Sequence, residues 1–96
     1  MYGLIAKMIA VPGHRDALID LVLAGSAGMP GCVSYIVAKD AESSDVIWVT
    51  EVWDDEDSHK ASLAIPAVKE AIGKAMPLIA GFEKGATTIP VGGVGL

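Results

Sequence analysis

The sequence predicts a single α+β domain with elements in the order β-α-β-β-α-β. Three observations carry this. Short apolar runs rich in Ile, Val and Trp end at turn residues, the pattern of strands. Between them lie stretches with apolar residues at helical spacing. Proline and glycine pairs punctuate the boundaries.

The first strand is "GLIAKMIAV" (3–11), which stops at Pro12-Gly13. Leu4, Ala6, Met8 and Ala10 form one face, and Ile5, Lys7, Ile9 and Val11 the other. Both faces are largely apolar, so both should be covered. "HRDALIDLVLAGSAG" (14–28) places Leu18, Leu21, Val22 and Ala24 on one stripe, predicting a helix from about Arg15 to Ala27. "GCVSYIVAKD" (31–40) reads as the second strand, with Val33, Tyr35 and Val37 opposite Cys32, Ser34, Ile36 and Ala38. After the polar turn "KDAESSD" comes "VIWVTEVW" (46–53), and the two strands make a hairpin. A helix over about 55–64 follows, broken by Pro66, which suits the first turn of a new helix. That second piece carries Val68, Ile72, Ala75 and Met76 on one face and ends near Pro77 and Gly81. "FEKGATTIPV" (82–91) is the last strand. The domain spans 1–96, with its core over about 3–90 and a tail at 91–96.

This order is the split βαβ, ferredoxin-like arrangement, with two helices on one face of an antiparallel sheet. The other sheet face is left bare. A two-fold-related copy would cover it, closing two sheets into a dimeric α+β barrel through an interface of roughly 2,000 Å² or more.

Composition narrows the function. The chain is 52% hydrophobic, with a mean hydropathy of +0.49, yet no apolar run approaches the roughly 18 residues of a membrane span. The surplus must go to an interface or a lined pocket. A net charge of -5 with no Lys/Arg cluster argues against nucleic acid and anionic membranes. Cys32 is the single cysteine, so a disulfide framework and a thiolate metal site are excluded. The N-terminus reads as having no secretory leader, and the expectation is a cytoplasmic protein.

The conspicuous stretch is "EVWDDEDSHKASL" (51–63), where four acids precede His59. On a helix start, consecutive Asp54, Asp55, Glu56 and Asp57 fan out and cannot all face one ion. They read instead as a helix cap plus charges favoured by the helix dipole, and no metal site is expected. His59 is either a half-buried helix residue or a pocket histidine that moves protons near neutral pH. Glu51, in an apolar strand, either pairs with Lys7 on the neighbouring first strand or serves as a base with a pKa raised by burial. Tyr35, Trp48 and Trp53 pack a core or interface, or line a pocket. Ser62 is a surface residue or a polar point on the pocket wall. His14 follows a turn and is expected to be exposed, and Cys32 to be a small buried apolar residue.

Taken together, "MPGCVSYIVAKD", "VIWVTEVWDDEDSHKASLAIPAVKEAI" and "MPLIAGFEKG" resemble the antibiotic biosynthesis monooxygenase domain family. The most specific part is the spacing from Glu51-x-Trp53 to Pro66. The resemblance implies a homodimer through the sheet face. It also implies oxidation of a small quinol, phenol or anthrone by molecular oxygen, with no cofactor. The catalytic candidates are then His59 and Glu51, and the pocket candidates Tyr35, Trp48, Ser62 and Met76. The alternative on the same scaffold is a small-molecule binding or isomerising protein. Many relatives carry histidine at the positions matching Ser62 and Ala67, whereas here the histidine is one turn earlier. A haem-degrading branch is rejected, because its Asn, Trp and His fall on Ala6, Ser62 and Ile72.

Overall fold

The computed structural model describes residues 1–96. Its elements are β1 (Tyr2–Ala10), α1 (Arg15–Ser26), β2 (Cys32–Lys39), β3 (Val46–Trp53), α2 (Glu56–Ser62), α3 (Pro66–Ala75) and β4 (Ile79–Thr88). The four strands make one antiparallel sheet in the order β2-β3-β1-β4. This is the expected ferredoxin-like α+β architecture.

The breaks between elements follow from local chemistry. The Asp55 carboxylate accepts from the Ser58 backbone N–H at 2.7 Å and starts α2. Its hydrogen bonds to Ser58 also lower the Asp55 pKa. Pro66 starts α3, where its missing N–H costs nothing. The last strand begins earlier than the sequence suggests, at Ile79 rather than residue 82. Pro77 is absorbed in a 3₁₀ turn over Met76–Leu78, so the chain is free to pair with β1 immediately afterwards.

Two irregularities reshape the sheet. Cys32 pairs with Trp53 and Ser34 with Val52, so Val33 is the extra residue of a bulge. The bulge turns Cys32 to the same side as Tyr35, where it packs near Trp53, and leaves Val33 exposed. The expected faces of β2 are therefore wrong at its first two residues. Gly85 is skipped in the pairing of β4 with β1. A Cβ there would lie 2.9 Å from the Ile5 carbonyl oxygen, so only glycine fits without moving the strand.

One face of the sheet carries Met8, Ala10, Ile47 and Val49, which pack with Leu18 and Ala75 from the helices. A second cluster joins Met29, Trp53 and Val68. The opposite face carries Ile5, Lys7, Trp48, Thr50 and Ile36, and Ile36 is 57% exposed. The indole N–H of Trp48 donates to Asp40 Oδ2 at 2.8 Å, which holds the Asp40 carboxyl down to about 2. Beyond Thr88 the tail is apolar and exposed at Ile89, Val91 and Val94. No helix is long and apolar enough to cross a membrane.

Candidate active site

A cavity of about 430 Å³ lies between the helix-covered face of the sheet and the helices. Of its 19 lining residues 14 are hydrophobic, so its wall is mainly apolar. Met8, Val22, Met29, Val68, Ile72 and Phe82 supply much of the wall. The polar groups are few: Tyr35, Glu51, His59, Ser62 and Ser26. This is the usual character of a small-molecule site.

Strand alternation builds the polar side. Glu51 and Trp53 are two residues apart on β3 and share the cavity face. Tyr35 on β2 is the direct cross-strand partner of Glu51. From above, α2 brings in His59, placed by the Asp55 cap four residues before it. The imidazole lies between two aromatic rings, 5.7 Å from Tyr2 and 5.4 Å from Trp53, the latter edge-on.

One carboxylate oxygen organises the cluster. The buried Trp53 indole donates to Glu51 Oε1 at 3.0 Å. The same Oε1 is 4.0 Å from His59 Nε2. That is ion-pair reach but longer than a hydrogen bond, so each retains hydrogen-bonding capacity toward the cavity. The side chains of Glu51 and His59 are only 12% and 22% exposed, so solvent screens the space between them little. The Tyr35 phenol is driven well above its ordinary pKa, first by burial and then by the Glu51 charge. It therefore stays protonated, and its O–H is available as a hydrogen-bond donor.

Five of the six site residues expected from sequence meet at this cavity: His59, Glu51, Tyr35, Ser62 and Met76. Their parts differ. Ser62 is buried, and its hydroxyl donates to the His59 carbonyl at 2.6 Å, so it fastens the helix under the imidazole. Met76 is 60% exposed and belongs to the mouth.

Trp48 is a correction. It sits on the opposite face of the sheet, because Trp48 and Glu51 are an odd number of residues apart on one strand. The expected Lys7–Glu51 pair fails for the same reason. Lys7 lies opposite Trp48, with its ammonium 5.8 Å from that ring and 3.6 Å from Glu83 Oε2. Glu51 is partnered by Trp53 and His59 instead. The sequence marks Trp53 as a packing or pocket aromatic; its role as the donor that holds Glu51 comes from the Glu-x-Trp spacing, which puts both side chains on one face.

Other reactive groups lie outside this chemistry. Burial, then the Glu51 charge, raises the Cys32 thiol pKa, which keeps it from being a thiolate. His14 is exposed beside its turn. The acids 54–57 cap and flank α2, with Glu56 paired to Lys60. No three His, Cys, Asp or Glu side chains converge as a metal-binding group.

Comparison with known proteins agrees with this architecture. A Chloroflexus aurantiacus protein described as a candidate antibiotic biosynthesis monooxygenase is 55% identical, aligned over 96% of this chain and 94% of its own, with a TM-score of 0.93. At 21% identity, a Pseudomonas aeruginosa protein shares the fold over 95% of this chain and 94% of its own (TM-score 0.82). A Deinococcus radiodurans protein, also described as a candidate member of these monooxygenases, does so at 22% identity over 98% and 96% (TM-score 0.79). No curated protein matches the chain at a significant level. The profile of the antibiotic biosynthesis monooxygenases matches residues 1–74, most of the length, and the chain belongs to that family.

Proposed function

We propose that the chain is a cofactor-independent monooxygenase that oxidises small aromatic quinols, phenols or anthrones with molecular oxygen. One observation carries the reading. Glu51 and His59 stand 4.0 Å apart on the wall of an otherwise apolar cavity, with Tyr35 beside them.

In this mechanism His59 takes the acidic proton of the substrate. Glu51, held by Trp53, stabilises the imidazolium that forms, and Tyr35 donates to the substrate oxygen as its charge grows. The dry wall keeps both interactions strong. The substrate anion passes one electron to oxygen. The substrate radical and superoxide combine, forming a C–O bond at a carbon that still carries hydrogen. That hydrogen leaves as a proton, the O–O bond breaks, and a carbonyl and water result. One oxygen atom enters the product and the other leaves as water. All the electrons come from the substrate, so no further reductant is needed.

The test is oxygen uptake with a panel of hydroquinones and anthrones. The expected result is substrate-dependent uptake well above autoxidation, with one atom of ¹⁸O from labelled oxygen in the product. Saturable binding with uptake at the autoxidation rate supports the binding or isomerase alternative instead.

We further propose that the protein works as a homodimer through the helix-free face of the sheet. The unmatched apolar residues there, Ile36 above all, support this. Sedimentation equilibrium is expected to give twice the 9.9 kDa chain mass. Ile36→Lys should shift it toward the monomer, and a wild-type monomer at working concentration would refute the pairing. The free, half-buried Cys32 fits a reducing cytoplasm.

A further inference from the structure

We propose that the cavity selects an uncharged ligand whose hydroxyl meets Glu51 and Tyr35, and that it rejects carboxylated, sulfated or phosphorylated relatives of the same size. This rests on the small-molecule site described above and narrows its substrate class. It does not depend on oxygen chemistry.

The lining shows why. None of the 19 lining residues is Lys or Arg. The ionisable groups in the wall are Glu51, His59 and Tyr35. An acidic ligand would need a cation or several hydrogen-bond donors to replace its hydration. His59 alone can become positive, and its Nε2 already faces Glu51 Oε1 at 4.0 Å, so that charge is offset within the pair. With the imidazole neutral, the one fixed charge in the wall is the Glu51 carboxylate, which repels an anion across a low-dielectric gap; with it protonated, the pair is neutral and leaves no net cation to hold an anion.

The same groups suit a hydroxyl. Glu51 Oε1 is engaged by Trp53, which leaves Oε2 to accept from a ligand O–H. Tyr35, directly across the strand pair, offers its own O–H to the ligand oxygen. One phenolic hydroxyl can thus donate to Glu51 and accept from Tyr35 together, which leaves a second O–H or an acidic C–H of the substrate as the proton for His59. A volume of about 430 Å³ lies toward the small end for ligand sites and suits a compact ring system.

The experiment is run under anaerobic conditions, so no probe can be oxidised and binding is read separately from the oxygenase assay. Binding of 1-naphthol, 1-naphthoate and naphthalene to the full-length protein is measured by calorimetry at pH 7. Naphthol is expected to bind at least about tenfold more tightly than naphthoate, because the repulsion acts at close range in a dry wall. It should also bind more tightly than naphthalene. In Glu51→Gln the gap between naphthol and naphthoate should narrow to about threefold or less, the fixed charge being gone. Equal affinities, a preference for the acid, or no binding of any probe by the wild type overturns the proposal. So does a gap that persists in a folded Glu51→Gln. Should that variant fail to fold, the wild-type ranking still decides. Oxygen uptake failing while naphthol is preferred would overturn the monooxygenase reading and leave this one standing.

Discussion

His59→Asn is expected to lower kcat for quinol or anthrone oxidation by about 10²–10⁴-fold, the usual contribution of a positioned general base. The imidazole is mostly buried, lies against Tyr2 and Trp53, and has Glu51 Oε1 at 4.0 Å. Asparagine keeps a polar group on α2 but cannot take the substrate proton. Naphthol affinity should stay within about threefold of wild type, because binding is assigned to Glu51 and Tyr35, and a change that small is under 1 kcal/mol. The fall should therefore appear in kcat and not in KM, the pattern of an interaction made only in the transition state. Steady-state oxygen consumption checks it, with thermal unfolding to confirm the fold. A loss below about tenfold, with a far larger one in Glu51→Gln, would move the base to Glu51.

Trp53→Ala is expected to have the largest effect on stability, about 3–5 kcal/mol. The side chain is 1% exposed, joins the cluster of Met29 and Val68, and carries the hydrogen bond to Glu51. Its removal opens a cavity and strips a mostly buried carboxylate of its donor. A domain of this size has only about 5–15 kcal/mol of total stability, so the variant should sit near the edge of folding. In a thermal scan the midpoint should drop by roughly 12–40 °C. A drop of only a degree or two would mean that the indole is not a structural anchor. Trp53→Phe separates the two roles. It keeps most of the packing and leaves Glu51 Oε1 without its donor, a cost of about 1–3 kcal/mol. Its activity should fall more than its affinity for naphthol. Unchanged kcat in Trp53→Phe would show that the indole does not hold Glu51 for catalysis.

Much of this was written into local pattern. Period-two runs separated by turn residues encode the strands, and helical spacing encodes α1 and α3. Asp55 and Pro66 mark where α2 and α3 begin, because a carboxylate caps free N–H groups and proline fits only a first turn. The placement of Glu51 and Trp53 on one face of β3 is likewise local, since side chains alternate along a strand. Trp48 follows the same rule: three residues before Glu51 on one strand, it must point to the other face of the sheet.

What only the tertiary structure decided is which non-local neighbours each side chain meets. Lys7 is on the strand beside Glu51 yet pairs with Glu83, because register sets which residues face each other. The bulge at Val33 turns Cys32 inward, and one extra residue in a strand has no sequence period to reveal it. Tyr2, Met8 and Phe82 become neighbours of the site through strand pairing and helix packing, not through spacing. The 4.0 Å approach of His59 to Glu51 needs α2 laid over β3 at a particular height. Periodicity is a property of one segment, whereas a cavity is a property of several packed together. The sequence alone therefore specified the elements and their faces, and the packing of helices on the sheet determined that an acid, a histidine and a tyrosine meet around one apolar space.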